Sequence, residues 1–147
     1  MPSVARNHRD WLLHVKYTRH EFKECLKMIE AQLKASQGLC EYPIYIKALI
    51  MRHEGRIQES LQLFQAVTCL NPQNIRNLKQ VARSLYLLGK HESALEVYEE
   101  AQRLGLDDWE IFHCKGLCHF RLNDFRKAIK SFELGNSVQR HDATYLQ

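Results

Sequence analysis

Apolar residues in this chain recur three and four positions apart, the spacing of a helix with one buried face. One stripe runs Leu78, Val81, Ala82 and Leu85, breaks at Gly89, and resumes at Ala94, Tyr98 and Ala101. That is a helix, a turn and a second helix. Thirty-four positions earlier the same scaffold reads Ile44, Ala48, Met51, Gly55, Ser60, Phe64 and Val67. Thirty-four positions later it reads Phe112, Gly116, His119, Asn123, Ala128, Phe132 and Gly135. A fixed period of this length is the mark of a repeat architecture. The first pair of helices is less regular. Trp11, Leu12, Val15 and Tyr17 form one stripe, and Phe22, Cys25, Leu26, Ile29 and Leu33 a second. Cys25 lies 35 positions before Ser60, so one residue is added near Ser36-Gln37-Gly38, a predicted turn.

The positions divide by physical task. Gly55, Gly89 and Asn123 are residues that tolerate the left-handed conformation, so they predict turns with positive φ. Ala48, Ala82 and Gly116 are small, so they predict the point where two helices of one unit approach closely. Asn71-Pro72 closes the second unit, because proline cannot continue a helix. Asp107 or Asp108 is placed to cap the helix that begins at Trp109. A fifth unit is expected to start at Ala143, which follows Trp109 by 34. With no polar capping helix after it, the chain is expected to be a fragment of a longer array. Its last helix is expected to expose Phe125, Ile129 and Phe132 in part and to self-associate through that uncapped end.

This pattern resembles the tetratricopeptide repeat family over about residues 6–140. The resemblance implies an all-α right-handed superhelix of about eight helices in four helix–turn–helix repeats. As one domain over 1–147, the repeats fall at about 6–40, 41–74, 75–108 and 109–142. It also implies a concave surface lined by the first helix of each repeat. Taking positions i, i+3, i+7 and i+10, these are Tyr42, Tyr45, Leu49 and Arg52, then Arg76, Lys79, Arg83 and Tyr86, then Glu110, His113, Leu117 and Phe120 with Arg121 beside them. Arg and Tyr are enriched at interface hot spots. The stripe therefore predicts a protein-binding face for an acidic or carboxylate-bearing peptide with aromatic or aliphatic anchors.

Composition narrows the choice of function. The chain has 147 residues, 45% hydrophobic and 26% charged, with a net charge of +4. That charge is mild, and no run of Lys and Arg or matching motif points to nucleic acid. Five cysteines inside helical patterns fit reduced thiols better than a disulfide framework. The first ten residues carry no apolar core of a signal peptide, and no apolar run reaches the length of a membrane span. His113-Cys114-Lys115-Gly116-Leu117-Cys118-His119 invites a zinc reading, but its two histidines point away from the Cys114–Cys118 face. The repeat register explains the stretch as packing. No phosphate loop or nucleophile motif is present, and Glu96, Glu99 and Glu100 read as a solvated face. No enzyme activity, cofactor or metal is expected.

A more specific resemblance involves residues that packing does not require. Trp11-Leu12, Gln37-Gly38-Leu39-Cys40-Glu41-Tyr42, Ile57-Gln58-Glu59-Ser60-Leu61, Asn77 to Leu85, Leu88-Gly89-Lys90-His91 and Asp108-Trp109-Glu110-Ile111 resemble the N-terminal part of the Bardet–Biedl syndrome 4 family. The resemblance departs in the fourth unit at Phe112, Lys115 and His119. It implies a non-catalytic subunit of the BBSome, an adaptor complex that carries membrane proteins into and out of cilia. It also implies contact with other BBSome subunits, pericentriolar material and dynein–dynactin, and a place in the cytoplasm, at the centrosome, centriolar satellites, basal body and cilium. The alternative is a general peptide-binding repeat module such as a co-chaperone. Against it, Tyr45, Leu49, Glu110 and Cys114 stand where a carboxylate clamp would carry Lys, Asn, Lys and Arg.

Overall fold

The computed structural model describes the backbone of residues 2–105 and 108–145 and the side chains of residues 8–105 and 108–140. Among these it contains eight helices and no strand: α1 (Pro2–Thr18), α2 (Phe22–Ser36), α3 (Glu41–His53), α4 (Ile57–Leu70), α5 (Ile75–Leu87), α6 (His91–Leu104), α7 (Trp109–Arg121) and α8 (Phe125–Tyr145). No described helix is long and apolar enough to cross a membrane. The helices form two compact units that meet in sequence at Asn71 and Pro72.

In the first unit α1 and α2 pair, α3 and α4 pair, and α3 also packs on α1 and α2. Its centre is Leu13, Cys25, Ile29, Ala48, Ile50, Phe64 and Val67, all excluded from solvent. The expected α1 stripe is displaced by one position. Trp11 is 59% exposed and stacks on His8, while Leu13 is the buried residue. Leu12 and Leu13 are equally apolar, so hydrophobicity alone does not choose between them; the contact with Cys25, whose thiol donates to the Leu13 carbonyl, does.

In the second unit α5 packs on α6, α6 on α7 and α7 on α8. Leu78, Val81, Ala82, Ala94, Tyr98, Ala101, Ile111, Phe112 and Cys118 are buried there. Gly116 marks a close approach of α7 and α8. A Cβ on it would stand 2.6–2.9 Å from three atoms of the Phe132 ring. Phe132 is thus turned inward onto α7, whereas Phe125 and Ile129 are 53% and 58% exposed.

The same turn joins the two helices of every pair. His20, Gly55, Gly89 and Asn123 have φ of 58°, 87°, 80° and 62°. The N–H after each reaches back five residues: Glu21 to Lys16, Arg56 to Met51, Lys90 to Leu85 and Asp124 to His119, at 2.9–3.0 Å. This bond satisfies a carbonyl that the helix end leaves open. His20 holds the same place in the first pair, one residue out of register as the 35-residue spacing requires. The extra residue lies in the α2–α3 turn, where Gln37 and Gly38 both have positive φ.

Asp108 caps α7, its carboxylate accepting from the Glu110 N–H at 3.0 Å; Asp107 lies outside the described residues. The boundary expected at 142–143 falls inside α8, which runs on to Tyr145. The reason is local: no proline or positive-φ residue follows Asn123 in the described chain.

Two glycines predict opposite mechanisms for the same substitution. Gly116→Ala should destabilise by about 1–3 kcal/mol through overpacking against Phe132. Gly89→Ala should cost about 1–2 kcal/mol through backbone strain alone, since no atom lies within 4 Å of its Cβ position. Urea unfolding followed by circular dichroism measures both; a Gly116→Ala variant as stable as the parent would show that the ring yields freely.

Ser60 is fully buried and its hydroxyl has no hydrogen-bond partner among the described residues. Ala94 and Ala128 fill the same repeat position without a polar atom. Ser60→Ala should therefore stabilise, by about 1 kcal/mol on the scale of an unsatisfied buried group; a lower melting temperature would contradict this.

Burial lowers the pKa of His119 in the folded chain, reinforced by Lys115 and Lys127 and opposed by Asp124. The folded state then binds fewer protons than the unfolded state below the ordinary value of about 6.5. Stability from this group is complete above that pH and is lost as pH falls through it. His119→Leu should flatten the fall in melting temperature between about pH 7 and pH 5; an unchanged slope would exclude His119 as its source.

Candidate functional site

Side chains drawn from three helices enclose a cavity of about 280 Å³ in the second unit. Lys79, Gln80, Arg83, Tyr86 and Leu87 come from α5, Tyr98 from α6, and Glu110, Cys114 and Leu117 from α7. Its construction follows from packing. Helix α6 packs against both α5 and α7 and supplies the buried Tyr98. The pairings show that α5 and α7 run in the same direction. Near their starts, Lys79 Nζ lies 2.9 Å from Asp108 Oδ2 and 2.6 Å from Glu110 Oε2. Near their ends, Arg121 Nε donates to the Tyr86 hydroxyl at 3.3 Å.

The cavity carries its charge unevenly. Burial alone would lower the pKa of Lys79, but its hydrogen bonds to Glu110 and Asp108 outweigh that and raise it, so the ammonium is held charged and paired. Arg83 is exposed and has no carboxylate partner among the described residues. Tyr98 and Cys114 lie beside each other in the wall. Burial raises the pKa of both, so both are protonated near neutral pH. Cys118, behind them, is pushed up to about 11 by burial. The walls are thus apolar or neutral, with charge only at defined points: the Lys79–Glu110 pair and Arg83. Among the described residues no three His, Cys, Asp or Glu side chains come together as a metal site would need.

Of the residues expected on the concave face, Lys79, Arg83, Tyr86, Glu110 and Leu117 line this cavity, and Arg121 touches it through Tyr86. Arg76 is exposed on α5. His113 and Phe120 do not belong to the cavity. His113 lies against Phe132 of α8 and near Trp109, and Phe120 against Phe125. The reason is angular. At about 100° per residue, positions 110, 114, 117 and 121 fall within one narrow arc, while 113 and 120 are swung toward α8. The i, i+4, i+7, i+11 set would have included Cys114, which the i, i+3, i+7, i+10 set omits. Gln80 and Leu87 were passed over on α5 for the same reason. Tyr98 was missed because it reads as core.

In the first unit the four α3 residues are placed differently. Tyr45 is buried and meets the Phe64 ring edge-on at 5.7 Å, so it is a packing residue and not an exposed contact. The Arg52 guanidinium stands 5.2 Å from the centre of the same ring, a cation–π arrangement. Tyr42 stacks on Tyr45, and Leu49 is half-buried.

Known proteins share both sequence and fold with this chain. It is 52% identical over 142 residues, 97% of its length, to the BBSome complex member BBS4 of Xenopus tropicalis. It is 51% identical over 138 residues, 94% of its length, to the BBSome complex member BBS4 of Mus musculus. These matches take up 27% and 26% of the two proteins, so the chain spans about a quarter of the curated relatives' length. The solved structure of MamA AMB-1 matches with a TM-score of 0.73 over 88% of this chain and 70% of its own, at 14% identity, a likeness of fold alone. Residues 17–132 match the family described as Psidin, N-terminal TPR repeats region. With four helix–turn–helix units built on one recurring turn, the chain belongs to this tetratricopeptide-repeat family.

Proposed function

We propose that this chain is a non-catalytic interaction scaffold that works as a subunit of the BBSome, in the trafficking of membrane proteins to and from cilia. The observation that carries the reading is the 52% identity across 97% of the chain. Buried side chains make up well under half of the described residues. Identity at that level therefore includes exposed positions, which packing does not require and binding does. A non-catalytic reading fits the cavity chemistry: the Cys114 thiol and the buried Tyr98 phenol are held protonated by burial, and its one carboxylate, Glu110, is engaged by Lys79.

In this reading the partners are the other BBSome subunits, with pericentriolar material and dynactin components met at the centrosome, centriolar satellites, basal body and cilium. In the second unit the protein-binding surface is the face of α5 and α7 around the cavity, with Arg76, Arg83, Tyr86, Leu117 and Arg121 as contacts; the first unit offers contacts of its own, Tyr42, Leu49 and Arg52 on α3. A co-chaperone role for acidic C-termini is disfavoured, because Tyr45, Leu49, Glu110 and Cys114 stand where such a clamp would carry Lys, Asn, Lys and Arg.

Proximity labelling from a tagged copy of the chain in ciliated cells, followed by affinity capture, tests the reading. BBSome subunits should be enriched over an unrelated repeat protein, with satellite and dynactin components among the labelled neighbours. Capture of chaperones alone would sink it.

A further inference from the structure

The charge counted along α5 and the charge available to a ligand are different quantities. Arg76, Lys79 and Arg83 are three cations on one helix. Lys79, however, faces two carboxylates, at 2.9 Å and 2.6 Å, with its side chain 20% exposed. An incoming anion at that point meets Asp108 and Glu110 as well as the ammonium. Farther along the helix, Arg83 meets no carboxylate among the described residues, and Arg121 is steadied nearby by the Tyr86 hydroxyl. One end of the cavity therefore attracts a carboxylate and the other does not.

The cavity's size limits what enters. About 280 Å³ is just below the roughly 300–1,000 Å³ of small-molecule sites, and suits one large side chain. Leu87, Leu117 and the rings of Tyr86 and Tyr98 give that side chain an apolar seat. Arg83 is exposed at the mouth rather than buried in the floor. A side chain lying across the mouth reaches Arg83 while its apolar neighbour fills the seat.

We propose that the cavity takes one large apolar side chain from an internal segment of a partner protein, with a single Asp or Glu side chain directed to Arg83, and that Glu110 sets this specificity by holding Lys79 so that a second carboxylate, directed to the opposite end of the cavity, finds no unpaired cation there. The proposal rests on the reading of the α5–α7 face as a protein-binding surface. It differs from a basic stripe that rewards every added acid. The guest is selected for one carboxylate on one side of its anchor, which also fixes the direction in which the segment lies.

The test uses the purified chain and peptides blocked at both ends, so that only side-chain carboxylates are offered. Each has a central Phe and carries no Glu, one Glu on either side, or Glu on both sides. Binding is read by calorimetry. One of the two single-Glu peptides should bind about five- to tenfold tighter than the neutral one, within the range of one net hydrogen bond at an exposed guanidinium. The second Glu should add less than about twofold. Arg83→Gln should erase the single-Glu advantage. Glu110→Gln should let the second Glu add at least about threefold, since Lys79 then has one carboxylate fewer. Glu96→Gln makes the same change of net charge on the exposed face of α6 and should add nothing. Circular dichroism of each variant should match the parent. A second Glu that helps the parent as much as the first, or equal effects of Glu110→Gln and Glu96→Gln, overturns the specificity and leaves the binding surface standing. Binding of no peptide overturns both.

Discussion

Two helices of one repeat pack most closely where their backbones approach at one point, and in the last three pairs that constraint falls on a single side chain. Ala48, Ala82 and Gly116 occupy it, and all three are buried. Gly116 shows the tolerance most directly, because the Phe132 ring fills the space a methyl group would need. Closeness at this point accompanies the same turn geometry in all three pairs. The turn in its place brings the second helix back at a fixed angle, and the large residues then fill the gap to the next helix. The cavity between α5 and α7 is a consequence. Both helices rest on α6, which holds them apart, and the span is bridged only by long side chains.

Much of this was legible in the sequence because backbone constraints leave few residue choices. A positive-φ turn admits Gly and Asn readily, so Gly55, Gly89 and Asn123 announced themselves. His20 did not, since histidine seldom signals such a turn, yet it closes the same five-residue bond. The added residue between the first two units was visible as a shift from 34 to 35, and Gln37 with Gly38 is where it is absorbed. Leu13 was less legible than its neighbours, because a stripe can be drawn through Trp11 and Leu12 as easily. Tyr45 shows the opposite error. An aromatic residue with a polar tip suits a surface contact by its spacing, and the Phe64 ring claims it for the core.

The candidate site was legible in position and not in charge. Spacing along α5 and α7 named five of the nine residues that line the cavity. What spacing cannot supply is the identity of each charge's partner. Lys79 and Asp108 are 29 positions apart in sequence and 2.9 Å apart in space. Their pairing depends on α5 and α7 running side by side in the same direction, a property of the packed unit and not of either segment. Counting cations on one helix therefore overstates the basic face by the residue that matters most to its specificity.

This reordering has a physical logic. Lys79 with Asp108 and Glu110 is a part-buried cluster at the edge of the unit, whose core is held by α6 through Tyr98, Ala94 and Ala101. What the cluster changes is the field at the cavity mouth. With Lys79 compensated, the cavity carries an asymmetric potential along an otherwise neutral seat. Asp108 has a second task as the cap of α7, so its position is set by the helix end. Glu110 has no such backbone task. Of the two carboxylates it is the one free to vary without disturbing the fold, and so the one through which the charge preference of this face can be adjusted.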